Sequence, residues 1–148
     1  ATLEKALKQA EDGDAETALK TLKPVRDQIY DLRKRNGVRL YADCITELNR
    51  AIEPLYERRH NPPDLGSAYI RQQVTDESKT YENLLKDCRA MAPEKYEDDP
   101  EFKRLFDGTL ESIQSMYPAI ESEDPGRVVN VLRELRSFDR IIYFRFGG

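Results

Sequence analysis

The sequence predicts an all-α fold, an up-and-down antiparallel four-helix bundle with an additional short N-terminal helix. Three observations carry that expectation. Apolar residues recur at intervals of three and four, most clearly in the C-terminal stretch 124–147. There Val128, Leu132, Leu135, Phe138 and Ile142 fall along one helical face. Helix starts are written in residue type. Asp124-Pro125 and Asp99-Pro100 pair a carboxylate that accepts an orphan N–H with a proline that lacks one. No alternating run of β-branched residues competes for a strand.

In chain order, residues 2–11 carry Leu3, Leu7 and Ala10 at helical spacing and form a short first helix. Glu11-Asp12-Gly13-Asp14 breaks it, and Asp14 caps a second helix over about 15–35. Its inward residues are Ala18, Leu22, Val25, Ile29 and Leu32, and Pro24 should kink it. The third helix, about 38–59, turns Tyr41, Cys44 or Ile45, Leu48, Ile52 and Leu55 inward, with a second kink expected at Pro54. Asn61 to Gly66 is a loop. The fourth helix, about 67–91, turns in Ile70, Val74, Tyr81, Leu84, Leu85, Cys88 and Met91. Residues 93–99 form a connection. The fifth helix then carries Phe102, Phe106, Leu110, Ile113, Tyr117 and Ile120, bent near its end by Pro118. A tight turn at 122–124 leads into the last helix. Five long segments follow residue 14, so a four-helix bundle requires one of them to be subordinate or extra.

Two stretches echo each other. Residues 14–37 lie on 124–147 without a gap, with five identities in 24 positions: Asp14, Leu22, Arg26, Arg35 and Gly37 on Asp124, Leu132, Arg136, Arg145 and Gly147. Duplication and the chance likeness of two capped core helices both remain open.

Length bounds the organisation. At 148 residues the chain is expected to form a single domain, 1–148, large enough to hold a core without a metal or a disulfide. A net charge of −4 argues against a global nucleic-acid footprint. No run of apolar residues is long enough to span a membrane. A start at Ala1 is compatible with processing after export. The two cysteines, Cys44 and Cys88, both fall on apolar stripes. The commoner reading is two buried thiols. The other is a disulfide between helices, which meets a difficulty of register. About a loop centred near Pro63 the pair is offset by six residues, roughly 9 Å along a helix.

Few residues in the chain point to chemistry. His60 is the only histidine and stands beside a proline loop, where a helix-capping cation is the plain reading. A di-iron carboxylate site therefore has no ligand set, and the C-x-x-C-H of a c-type haem is absent. Met91 and Met116 read as core filler. The acids Glu97, Asp98, Asp99 and Glu101 lack the pattern of a calcium loop and suit a helix start. No catalytic residue, cofactor or metal is assigned, and the chain is expected not to be an enzyme. Surfaces remain. Arg26, Arg33, Lys34 and Arg35 make a basic end on the second helix. Arg133, Arg136, Arg140 and Arg145 make a basic side on the last. If the two helices are neighbours, these form one patch able to steer an acidic partner. The alternative is a solvated face paired with neighbours such as Glu134. Tyr143, Phe144 and Phe146 cannot all face one stripe, so some of them cover a neighbouring element or touch a partner.

The segment Lys23-Pro24-Val25-Arg26-Asp27-Gln28-Ile29-Tyr30-Asp31-Leu32 resembles the first long helix of PsbQ-type extrinsic proteins of photosystem II. Leu135 to Ile142 is similar to the Phe-Asp pattern near the end of that family's last helix, and Phe106 to Glu111 to part of the helix before it. The resemblance implies an up-down-up-down bundle in the thylakoid lumen, without a cofactor. It would dock on photosystem II, on its core or on other extrinsic subunits, and stabilise the lumenal side without inserting into the membrane. The partner-binding residues on this reading are Arg33, Lys34, Arg35, Arg136, Arg140, Tyr143, Phe144 and Arg145. Residues 2–11 and both cysteines have no counterpart in that pattern. Two other readings stand beside it. One is a haem-less periplasmic bundle resembling cytochrome c′, with Ser137, Arg140 and Ile141 at the Cys, Cys and His positions. The other is a helical-repeat adaptor, since Ala10 to Glu16 resembles the turn of a tetratricopeptide hairpin.

Overall fold

The computed structural model describes residues 1–147, and among these every regular element is a helix. In order they are α1 (Thr2–Glu11), α2 (Ala15–Arg35), α3 (Tyr41–Glu57), α4 (Ala68–Ala90), α5 (Glu94–Glu97), α6 (Pro100–Gln114), α7 (Met116–Glu121) and α8 (Pro125–Phe146). They fall into two compact units, Ala1–Arg39 and Leu40–Gly148.

The first unit is the hairpin of α1 and α2. Gly13, at φ +82°, makes the turn in the left-handed region that glycine enters without a Cβ clash. Asp14 then caps α2, its carboxylate accepting the Thr17 N–H at 3.1 Å. The Thr21 hydroxyl donates to the Gln9 side chain at 2.7 Å and fixes the register. α2 runs unbroken through Pro24. Pro24 leaves the Lys20 carbonyl without its helical donor, and both residues are exposed. The expected stripe is corrected at its far end: Ile29 is 46% and Leu32 56% exposed. The buried residue of that half is Tyr30, 4% exposed, with Arg26 and Arg33 half-buried on the same side, so the covered face there runs through Tyr30 and not through Ile29 and Leu32.

The second unit holds the main core. Within it α3 packs on α4 and α8, α6 packs on α4 and α8, and α7 packs on α4, α6 and α8. Side-chain pairs give the directions. Arg58 meets Glu77 and Cys44 meets Cys88, so α3 and α4 are antiparallel. Asn49 meets Asp139 and Glu53 meets Arg136, so α3 and α8 are antiparallel. Arg89 meets Asp107 while Glu82 meets Gln114, which sets α6 against α4. Phe102 meets Phe146 and Gly108 meets Phe138, which sets α8 against α6.

Other expectations change here. The fifth predicted helix is two, since α6 ends at Gln114 and α7 begins at Met116. Pro118 removes the donor that would reach Gln114, and the Ser115 hydroxyl caps the break by donating to the Glu111 carbonyl at 2.8 Å. The 93–99 connection contains the short α5, whose Tyr96 stacks on Phe102 at 5.4 Å. Met91 lies just past the last residue of α4 and is 47% exposed.

The cysteines are the clearest correction to the commoner reading. Cys44 and Cys88 form a disulfide, with Cα atoms 5.7 Å apart. The midpoint of that pair is residue 66, not Pro63, and the Arg58–Glu77 pair places the centre of the hairpin close by. The ten residues between α3 and α4 are not shared evenly between the two helices. Leu65 is buried, and its carbonyl accepts from Arg71 at 2.6 Å, so the loop folds back under the start of α4. That displacement removes the offset. A disulfide is compatible with an oxidising compartment. No helix among the described residues is long and apolar enough to cross a membrane.

Candidate docking surface on the last helix

α8 begins where its residue types dictate. The Asp124 carboxylate accepts the Arg127 N–H at 3.0 Å, and Pro125 occupies the first position. Its inner face is closed: Val128, Leu132, Leu135 and Ile142 are at most 1% exposed. One polar residue interrupts that face. Asp139, 2% exposed, accepts from the Asn49 side-chain amide at 2.7 Å. Arg136 stands beside it, 3.9 Å from the Asp139 carboxylate and 2.6 Å from that of Glu53, with its guanidinium 4.9 Å from the Tyr56 ring centre. Tyr81 is buried in the same region. Burial pushes its phenol well above the ordinary value, and the Asp139 charge adds to this against the Arg136 cation. A buried carboxylate needs donors, and these come only in one register of α8 against α3.

The outer face is different. Arg133, Ser137, Arg140, Ile141 and Phe144 follow one another at helical spacing and all are exposed. Ile141 is 40% and Phe144 63% exposed. Arg133 and Arg140 have no ion-pair partner among the described residues. This is a strip with two cations and two large apolar groups, suited to a partner with apolar and acidic character.

The predicted contact residues distribute as follows. Arg140 and Phe144 lie on the outer strip. Arg136 is engaged inside the fold by Glu53, Asp139 and Tyr56. Arg145 is exposed and lies 3.4 Å from a Glu101 carboxylate that Arg104 also holds. Tyr143 is half-buried against the core, and Phe146 is buried edge-on to Tyr96 and Phe102. Of the three terminal aromatics, one therefore closes the core, one lines it and one faces solvent. In the first unit, the Lys34 ammonium is 5.8 Å from the Tyr30 ring centre, Arg35 donates to the Asp31 carbonyl at 3.3 Å, and Arg33 is half-buried. Ile141 was not among the predicted contact residues. Its one signal was its place eight residues after Arg133, on the face opposite the stripe.

No group of His, Cys, Asp and Glu side chains among the described residues is arranged to hold a metal ion. His60 is exposed, in the turn after α3. No family model, curated protein or solved structure matches this chain.

Proposed function

We propose that this chain is a non-catalytic docking subunit that binds a larger assembly through the outer strip of α8. The observation that carries the reading is that strip: Arg133, Arg140, Ile141 and Phe144 exposed together on a helix whose opposite face is fully packed. The same helix is pinned by the Asn49–Asp139 contact, so the strip is presented on a rigid element. The residue resemblance to PsbQ-type extrinsic proteins names the host: the lumenal side of photosystem II. The antiparallel pairs of α3, α4, α6 and α8 support an up-and-down four-helix bundle, with α5 and α7 subordinate. On this reading the hairpin α1–α2 is an addition before the bundle. The disulfide is consistent with an oxidising compartment such as the lumen.

The mechanism is structural. Cations steer the approach and the apolar pair anchors the contact once water is displaced. The experiment is a pull-down of the tagged chain from detergent-solubilised membranes of the source organism, at low and then high salt. Recovery of photosystem II subunits that salt releases is the expected result. Recovery of none of them refutes this host.

A further inference from the structure

α2 ends on a dipeptide with a chemistry of its own. The backbone nitrogen after an asparagine can attack the side-chain amide carbon, and a glycine there offers the least hindered nitrogen. Asn36-Gly37 is the one Asn-Gly pair in the chain. Both residues are exposed, and nothing lies within 4 Å of where a Gly37 Cβ would stand. The other four asparagines are placed against this step. Asn49 is buried, and Asn61 precedes Pro62, which has no N–H to lose. Asn83 and Asn130 lie inside α4 and α8, before Leu84 and Val131.

In the closed cap the reacting atoms are held apart. The Asn36 side-chain amide donates to the Leu32 carbonyl at 2.8 Å, and the Gly37 N–H donates to the Lys34 carbonyl at 3.2 Å. The Asn36 ψ of 9° turns the Gly37 nitrogen away from that side chain. These bonds belong to the last turn of a helix, where local opening costs the least free energy. We propose that Asn36 is a self-modification site: from the opened cap it converts to aspartate and isoaspartate without an enzyme or cofactor, and the product loosens the end of α2. Hydroxide takes the Gly37 amide proton, and the nitrogen bonds to Asn36 Cγ. The bond from Cγ to the side-chain nitrogen breaks, and that nitrogen leaves as ammonia with a proton from water. Water then opens the five-membered imide at either carbonyl, which leaves a carboxylate and no change of oxidation state. Conversion replaces the donor to the Leu32 carbonyl by an acceptor and sets a negative charge at the negative pole of the helix. The inference concerns α2 alone and does not rest on the docking reading.

The test follows the full chain and a synthetic peptide of residues 32–40 by peptide-mapping mass spectrometry, at mildly acidic and mildly alkaline pH. The peptide has no folded cap and sets the reference rate. The full chain is expected to gain one mass unit at Asn36, faster in alkali, at a rate about tenfold below that of the peptide. Asn36→Gln would have to close a six-membered ring and is expected to gain none. Asn36→Asp is expected to speed amide hydrogen exchange over residues 32–38 and to leave exchange in α3 to α8 unchanged. No conversion of the full chain after about thirty half-times of the peptide overturns the inference. So does conversion spread over the other asparagines, or native exchange at the end of α2 in Asn36→Asp.

Discussion

Gly108 shows how one residue sets the distance between two helices. A Cβ there would stand 2.6 Å from the Phe138 ring, so α6 and α8 approach as closely as a glycine allows. In a helix with open space, glycine to alanine stabilises by up to about 1 kcal/mol. Here the sign reverses. Gly108→Ala is expected to destabilise by about 1–3 kcal/mol, read as a lower urea midpoint, and Phe138→Leu in the same chain is expected to recover part of the loss. This close contact was not legible in the sequence, because the partner of Gly108 lies thirty residues away. Asn49 and Asp139 were equally illegible, being polar residues on faces that periodicity reserves for apolar ones. Asn49→Ala leaves the buried Asp139 carboxylate short of a donor and is expected to cost about 1.5–3 kcal/mol. Asp14, Asp99 and Asp124 were legible, since a cap depends only on residues within one turn, and each accepts backbone N–H groups as expected.

At the level of elements, the stripes of α3, α4, α6 and α8 follow the 3–4 spacing closely, because burial on a helix is a local consequence of sequence. Register between helices is not local, and there the sequence reading of the cysteines failed. The loop from Arg58 to Ser67 carries α4 past the end of α3, and only its folded path brings Cys44 to Cys88. The bridge closes a sequence separation of 44 residues, worth about 4 kcal/mol in the chain-entropy description. Cys44→Ala with Cys88→Ala is expected to lower the unfolding free energy by an amount of that order, and reduction should reproduce the loss. α4 is held to α6 and α7 through Glu82. Burial raises its carboxyl, but bonds from Lys86, Tyr117 at 2.5 Å and Gln114 at 3.2 Å more than offset this and hold it below the usual carboxylate range. Its contribution is therefore present above the unfolded-state value, near 4.5, and is lost as pH falls through the lower folded value. Glu82→Gln should lower Tm at neutral pH and make the acid-side fall in Tm shallower. An unchanged slope would remove Glu82 from the account.

For the whole molecule, the sequence led to an all-helical chain and the structure is one. The second long segment, α2, pairs with α1 in a unit of its own. That division was hidden because α2 carries a stripe as complete as that of α8, and a stripe does not state what covers it. The basic residues sort the same way. Arg136 and Arg140 are equivalent on the page of a sequence, yet one is held by Glu53 and Asp139 while the other faces solvent. Docking through the outer strip of α8 is the central claim. The most direct measurement is binding of the purified chain to photosystem II membranes stripped of extrinsic proteins, across a salt series, beside Arg133→Gln/Arg140→Gln and Phe144→Ala. The account predicts salt-sensitive binding, a flatter salt slope for the arginine pair, and a weaker but still salt-sensitive contact for Phe144→Ala. Binding of both variants with the affinity and salt slope of the native chain would contradict it.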